Sequence, residues 1–377
     1  MKRLWALSVL VGMAVTVGFA QSPDEEIGQG NLISQLFDTA DKIVESVSGD
    51  SWAVIPALTY SPETSLGVGA RAIKVFRYRP KQGVDTRPST LPITFLYTLN
   101  QQLLFSTELS LWQPGNTGFL NARIEMADFP FKFYGIGSSP TSGEYYASRY
   151  VHFHLMYERE ILKGLYMGPR FEIRREDIYR TEALGLLESG TIAGSNGQFV
   201  SGMGGVVNFD TRDNIFQPTR GVFHQAQLML FSPAFTSDFS FAHLVLDFRK
   251  YLSITPKQVL VGQAWASLTA GSVPFQHVSM IGGSDRMRGF FEGKYRDRHA
   301  LVFQSEYRIN VYRNLGVVLF GSVGQVSPDL EGFGVRTFKA GGGMGIRYKL
   351  NNEGLNIRFD LGFGDQTAYY FGLNEVM

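Results

Sequence analysis

The chain has 377 residues, with 35 basic and 34 acidic side chains and no cysteine. The balanced charge excludes a bulk electrostatic attraction to nucleic acid, and the lack of cysteine excludes disulfides, thiolate metal sites and a cysteine-linked lipid anchor. With 30 Phe, 17 Tyr and 42 Gly but only 18% charged residues, the composition favours extensive β-structure with an apolar surface.

The first twenty residues have the order of a secretory signal peptide. Two cations, Lys2 and Arg3, precede an apolar run, and the small Ala20 precedes Gln21. We predict cleavage after Ala20, and the alternative is a retained membrane anchor. Beyond residue 20, no window approaches the roughly 20 apolar residues of a membrane helix, so the remaining chain is not a helical membrane protein.

Residues 21–51 are predicted to form a periplasmic segment with one amphipathic helix. Apolar side chains recur there at spacings of three and four, which places them on one face of a helix. These residues are Leu32, Ile33, Leu36, Phe37, Ala40, Ile43, Val44 and Val47.

From residue 52 onward the apolar period changes to two. Between residues 299 and 312, for example, Phe303 and Tyr307 share one face of a predicted strand and Glu306 lies on the other. Sixteen such segments follow one another, and short and long connections alternate in the second half of the chain. The pattern predicts one sixteen-stranded antiparallel transmembrane β-barrel over residues 52–377, because backbone groups in lipid must be paired within a closed sheet.

The sequence carries no catalytic signature. His152 and His154 lie on one strand face, but no third metal ligand is identifiable, so we interpret them as polar side chains that face water inside the barrel. No Ser or Asp stands at a spacing that singles out one of the other four histidines as part of a hydrolase site. We predict no catalytic residue, no metal and no cofactor, with a barrel hydrolase as a minor alternative.

Two glycine-rich segments, 201–205 and 341–347, lack the following helix that a phosphate-binding loop requires. Glycines in strands more often mark bends or places where a loop presses against the sheet. These glycines therefore indicate a segment of the chain inside the barrel.

The sequence NFDTRDNIFQPTRG, residues 208–221, is too elaborate for a plain hairpin turn. Pro218 fixes its own φ, and Gly221 permits a φ above zero. Three charged side chains can brace the turn through ion pairs and backbone hydrogen bonds: Asp210, Arg212 and Asp213.

A second unusual connection, residues 272–298, is long, glycine-rich and charged, although apolar strands flank it. It contains an Arg-Gly-aromatic step formed by Arg288, Gly289 and Phe290. We call this connection the arginine loop.

Together, these motifs resemble those of the bacterial surface antigen barrels, a superfamily of outer-membrane barrel-assembly factors and two-partner secretion translocators. The family's Asp-Ser/Thr-Arg-Asp/Asn, Pro, Gly turn is matched from Asp210 to Gly221. Its Val/Ile-Arg-Gly-Phe/Tyr step is matched at 287–290, with methionine in the aliphatic position. The segments FYGIG at 133–137 and PALTYSPETSLGVG at 56–69 are also similar to members of this family.

The resemblance implies that the arginine loop folds into the barrel, where Arg288 pairs with acids on the wall. Glu306 is the implied wall acid. Ser322 stands where the family has a second acid, so either the contact is single or Asp360 supplies the second carboxylate. Family members usually carry periplasmic POTRA domains ahead of the barrel, and the short segment 21–51 predicts a member without them.

The implied protein is an integral, multi-pass barrel of the bacterial outer membrane. Its expected partners are outer-membrane lipid and either client proteins or accessory periplasmic proteins, but not nucleic acid. The leading hypothesis is a role in the insertion, assembly or translocation of protein or lipid, through a weakly paired seam between the first and last strands. The alternative is a passive pore or structural barrel whose N-terminal helix caps or plugs the periplasmic mouth.

Overall fold

The computed structural model describes residues 52–61, 63–79, 82–350 and 353–377. The predicted signal peptide and amphipathic helix lie outside these residues. In the described part of the chain, no helix is long and apolar enough to cross a membrane.

The described residues form eighteen strands. These are β1 (Ala53–Ser61), β2 (Ser65–Phe76), β3 (Ser89–Thr98), β4 (Leu103–Trp112), β5 (Gly118–Phe133), β6 (Glu144–Leu162), β7 (Leu165–Arg180), β8 (Gln198–Asp210), β9 (Gly221–Phe231), β10 (Phe241–Thr255), β11 (Gln258–Gly271), β12 (Ser279–Ile281), β13 (Tyr295–Asp297), β14 (His299–Tyr312), β15 (Leu315–Ser327), β16 (Lys339–Lys349), β17 (Asn356–Phe363) and β18 (Thr367–Leu373).

Sixteen of these strands form one sheet, in which hydrogen-bonded neighbours follow chain order from β1 to β18. The two that do not, β12 and β13, pair with each other inside the arginine loop. The prediction of an all-β chain with one large antiparallel sheet is confirmed.

Side chains alternate between an apolar outer face and a largely polar inner face. On the outer face, Phe303 of β14 is 46% exposed and Leu319 of β15 is 48% exposed. On the inner face of β14, Gln304 and Glu306 are buried. An apolar outside with a polar inside is the alternation of a sheet whose outer surface meets lipid.

The connections differ in length at the two ends of the sheet. At the long-loop end lie five connections of nine residues or more: 134–143, 181–197, 232–240, the arginine loop and 328–338. At the short-turn end lie three two-residue turns: 163–164, 256–257 and 313–314. Two connections at the short-turn end have ten residues or more, namely 77–88 and the turn motif at 211–220.

Curvature brings residues near the two edges of the sheet together. Arg77, which follows β2, donates hydrogen bonds of 2.9 and 3.2 Å to Glu353, which precedes β17. At the long-loop end, Glu63 in the turn after β1 accepts a 2.8 Å bond from the backbone N–H of Glu292 in the arginine loop.

The arginine loop packs over the inner face of the sheet. Four of its apolar side chains form one buried cluster with wall residues of β11, β14 and β15. The members are Ile281, Met287, Phe290 and Tyr295 from the loop, and Trp265, Ala300, Val302 and Val326 from the wall. Burying apolar area in this way stabilises the loop at roughly 25 cal/mol per Å².

We expect an arginine on the outer face to destabilise the protein in lipid. Leu319→Arg should cost about 2–4 kcal/mol, because a cation near the middle of the bilayer loses its hydration. Urea unfolding in phospholipid vesicles measures this loss. Leu330→Arg is the control, since Leu330 is 63% exposed in the connection 328–338. Equal effects of the two changes would contradict the assignment of a lipid-facing surface.

Candidate functional site

A tight turn carries Arg288 to the inner face of the sheet. Met287 has a φ of 57° and Gly289 a φ of 100°, and the N–H of Phe290 donates to the Met287 carbonyl at 3.1 Å. A Cβ added at Gly289 would lie 2.5 Å from the carbonyl carbon of Phe363. The positive φ and the close backbone approach together require glycine here.

Glycines in strands β15 and β16 and in the turn after β17 make room for the side chains on either side of Arg288. The Met287 sulfur lies against Gly324, and the Phe290 ring lies against Gly341 and Gly364, where an added Cβ would be 2.9 and 2.5 Å from ring carbons. The glycines of 341–347 therefore include one on which the loop presses. In the segment 201–205, by contrast, Gly202 and Gly204 face atoms of the neighbouring strand β9.

The guanidinium group of Arg288 bridges two carboxylates. Its Nη2 is 2.5 Å from Oε1 of Glu306 on β14, and its Nη1 is 2.6 Å from Oδ2 of Asp360 on β17. Both acid side chains are 0% exposed and Arg288 is 1% exposed. The guanidinium carbon also lies 3.5 Å from the ring centre of Phe320. Short charge-assisted bonds and a cation–π contact both strengthen where water is excluded.

Ser322 has no part in this contact. It lies on β15 opposite Gln304 and Gly341, and its hydroxyl forms no hydrogen bond within the described residues. The sequence left open whether Arg288 contacts one acid or whether Asp360 supplies a second carboxylate, and in the structure Asp360 does contact Arg288. Arg288 therefore has two acidic partners, and the second lies on β17, two strands beyond Ser322.

Further arginines hold the two acids in place. Arg308 donates to Glu306 at 2.8 and 3.0 Å, and Arg347 donates to Asp360 at 2.5 Å. Arg358 lies 3.6 Å from Asp360 and 3.3 Å from Asp285 of the arginine loop. We call these residues and Arg288 the arginine network. Its ion pairs span the loop and strands β14, β16 and β17.

Sequence reasoning missed two neutral partners of the loop backbone. The N–H of Gly289 donates to the Tyr370 hydroxyl at 3.0 Å, and the N–H of Met287 donates to Oε1 of Gln304 at 3.0 Å. Gln304 lies two residues before Glu306 on β14, so strand alternation alone could have placed it on the same inner face. Tyr370 is directly opposite Asp360 in the register of β17 and β18.

The turn motif lies at the short-turn end. Asp210 accepts hydrogen bonds from Arg212 at 2.8 and 3.0 Å and from Arg87 at 2.7 Å. Gly221 has a φ of 104°, and Pro218 is buried. The brace thus includes Arg87 from the connection 77–88, which no local pattern indicates.

A second part of the motif orders its own backbone and reaches another turn. Asp213 accepts hydrogen bonds from the N–H groups of Asn214 and Thr219 at 3.0 and 2.9 Å. The side-chain amide of Asn214 donates to the carbonyl of Glu353 at 2.8 Å. The motif therefore ties together connections from three places along the short-turn end.

The two histidines singled out in the sequence have separate partners. Nε2 of His152 lies 3.1 Å from Glu172, and Nε2 of His154 lies 2.7 Å from Asn121. Their rings are 6.1 Å apart. Across the described ranges, no group of three or more His, Cys, Asp or Glu side chains is arranged to hold a metal ion.

A cavity of about 410 Å³ lies beside the arginine loop. Its lining includes Glu63, Glu292 and Tyr370. Glu292 is exposed, but only to the cavity. Partial desolvation by the surrounding protein and the carboxylates of Glu63 and Asp285 raise its pKa to about 7, against the opposing effect of Arg286 and other cations. The side chain of Glu292 faces the cavity, so its charge depends on pH near neutrality.

A protein family and several solved structures match this architecture. The model of the Omp85 superfamily domain matches residues 134–374. BamA from Haemophilus ducreyi, in a structure lacking POTRA domains 1–3, has a TM-score of 0.57 at 11% identity over 86% of this chain and 70% of that one. CdiB from Acinetobacter baumannii has a TM-score of 0.55 at 12% identity, and the match covers 86% of this chain and 60% of that one. CdiB from Escherichia coli has a TM-score of 0.56 at 9% identity, and the match covers 85% of this chain and 62% of that one.

This chain therefore belongs to the Omp85 superfamily, the family that the motifs predicted. It is an integral β-barrel protein of the outer membrane, and its family places it among barrels of protein assembly or translocation without fixing a specific role. It spans 60% to 70% of the length of the three structures. No curated protein is significantly similar to it.

We expect Arg288→Met to destabilise the folded protein by about 3–5 kcal/mol, because it leaves two buried carboxylates without their shared cation. Glu306→Gln should also destabilise, and the double change should cost less than the two losses together. Urea unfolding in detergent micelles measures all three. Arg298→Met is the control, since Arg298 is an exposed residue of the same loop. Strictly additive losses would refute direct coupling.

We also expect Glu292 to make stability depend on pH. Because its folded-state pKa is raised from 4.5 to about 7, the folded protein binds this proton more tightly than the unfolded chain does. The contribution to stability therefore falls as pH rises through that window. Unfolding between pH 5 and pH 8 should show a smaller decline in Glu292→Gln than in the parent. The exposed Glu331→Gln should keep the parent's dependence, and identical profiles for all three would contradict the assignment.

Proposed function

We propose that this protein acts in the insertion, assembly or translocation of protein or lipid at the outer membrane, and that its barrel closes at a seam between β1 and β18. One observation carries this proposal. The arginine loop bonds to Tyr370 on β18 through Gly289 and to Glu63, in the turn after β1, through Glu292. A single internal element thus contacts both edges of the sheet.

The last strand supports a weak seam. β18 has seven residues and β17 has eight, whereas β14 has fourteen. A short edge strand offers few ladder hydrogen bonds, so separating it from a neighbour costs less than separating two long strands. A seam that opens at low cost suits a protein that passes or receives other molecules at the membrane.

In this proposal the arginine network sets the resting state of the seam. Arg288, Gly289 and Phe290 anchor the loop, while Glu306 and Asp360 fix Arg288 on the wall. The turn motif from Asp210 to Gly221 braces the opposite end of the barrel. The expected partners are outer-membrane lipid and client or accessory periplasmic proteins, and no step requires catalysis.

Packing at the long-loop end argues against a permanently open pore. Phe275 of the arginine loop, Leu187 of the connection 181–197, Phe133 and Tyr146 form one buried cluster. The rings of Phe133 and Phe275 are 5.1 Å apart. Loops that share an apolar core close off the space beneath them.

The test uses a tethered loop in the source bacterium. The chain has no cysteine, so Glu63→Cys with Glu292→Cys gives a unique pair for a short bismaleimide. Deleting the gene should change the protein or lipid composition of the outer membrane. Crosslinking the pair should reproduce that change, because the loop can no longer leave the β1 edge.

Either single cysteine, treated with the same reagent, is the control and should behave as the parent. An outer membrane that keeps its protein and lipid composition after deletion would overturn the proposal. Steady conductance of the purified, untethered protein in planar bilayers, together with that result, would instead indicate a passive pore.

A further inference from the structure

The four residues after β18 turn onto the inner face of the sheet. Asn374 has a φ of 64°, and its N–H donates to the carbonyl of Asn356 on β17 at 2.8 Å. From this bend, residues 374–377 cross the inner surface of neighbouring strands. We call them the inner segment.

Glu375 of the inner segment is bound by three side chains of the wall. Its Oε2 is 2.8 Å from Nε of Arg347 on β16 and 3.7 Å from Nε of Arg308 on β14. Its Oε1 accepts a 3.1 Å bond from the amide of Asn356. The Glu375 side chain is 2% exposed, so these contacts replace almost all of its hydration.

The end of the inner segment fills an apolar site. Met377 is 3% exposed and packs with Tyr251 of β10 and Val261 of β11. Its carbonyl accepts a 2.7 Å bond from Nη2 of Arg308. Val376 packs at the border of the same cluster. The site thus has a charged end, which binds Glu375, and an apolar end, which binds Met377 two residues later.

The wall on its own carries an excess of positive charge. Four guanidinium groups, those of Arg288, Arg308, Arg347 and Arg358, share only three wall or loop carboxylates, which belong to Glu306, Asp360 and Asp285. Asp285 is the weakest partner, since its side chain is 72% exposed. Glu375 brings the acids to four. Without Glu375, Arg308 and Arg347 would each keep one carboxylate partner, Glu306 and Asp360, but the buried site would have one more cation than anion. An excess of buried positive charge is costly, so this surface favours an anionic ligand.

We propose that this surface is a binding site for an extended peptide with a carboxylate two residues before an apolar side chain, and that the inner segment is its resident ligand. The contacts are made by wall side chains and one wall carbonyl, not by a strand ladder. A peptide from another chain with the same two groups at the same spacing satisfies the same partners. This inference stands independently of the function proposed above.

Occupancy of this site is linked to the arginine loop. Arg308 donates to both Glu306 and the Met377 carbonyl, and Glu306 is an acid that also holds Arg288. Release of the inner segment removes two partners of Arg308, namely Glu375 and Met377. We expect the contact between Arg288 and Glu306 to weaken when the site is empty.

The first test follows the position of the inner segment in the full chain. Met377→Cys provides a unique thiol, and its reaction with a bulky maleimide reports exposure of the segment. Glu375→Gln in this background should raise the reaction rate about tenfold, which corresponds to the loss of one charge-assisted hydrogen bond. Glu331→Gln, which changes an exposed acid in the connection 328–338, should leave the rate unchanged. Equal rates in all three would overturn the proposal.

The second test supplies the ligand separately. A chain that stops after Leu373 should bind a fluorescent peptide FGLNEVM saturably, and FGLNQVM about tenfold more weakly. Equal binding of the two peptides, or no binding by a truncated chain that still migrates as a heat-resistant folded species, would overturn the proposal. If truncation prevents folding, the same peptides are added to the full Met377→Cys chain. There, FGLNEVM should raise the labelling rate by displacing the segment, and FGLNQVM should not.

Discussion

The burial of one guanidinium group between two carboxylates is the interaction on which the interior depends. Arg288 links Glu306 on β14 with Asp360 on β17, so the pair of bonds spans strands that are not neighbours in the sheet. Each of these charges has lost its hydration, and each is compensated only while the others stay in place. The loop, the curvature of the sheet and the inner segment are therefore held by one set of mutually dependent charges.

Small residues make this burial possible. In the register of the sheet, the inner-face row that begins at Glu306 and Phe320 continues through Gly343 and Gly362. A Cβ at Gly362 would lie 2.9 Å from the backbone of Arg288, so a larger residue there would push the arginine from its acids. The sheet places its carboxylates beside glycines, so the arginine loop finds both its charge partners and the space for its backbone in one place.

The sequence predicted those features that depend on local periodicity or local spacing. Alternation in segments such as 299–312 indicated the large sheet. The Arg-Gly-aromatic step carried part of the family resemblance, and that resemblance implied the contact of Arg288 with Glu306. Alternation identifies an inner face but does not say which inner residues meet across the barrel. Whether Asp360 supplies the second carboxylate therefore depended on the register of strands β14 to β17. The contacts of Arg87 and Tyr370 depended on other parts of the tertiary structure.

The ion pairs of the arginine network join residues at most 73 apart in sequence, which bears on the order of folding. Its charged groups all lie between Asp285 and Glu375, and their partners come from the loop, strands β14 to β17 and the inner segment. Contacts of small sequence separation carry a smaller loop-closure entropy than contacts between distant segments. This part of the chain can therefore complete its charged interior early. The contact between Glu63 and Glu292 joins residues 229 apart, so its loop-closure cost is larger than that of any ion pair in the arginine network.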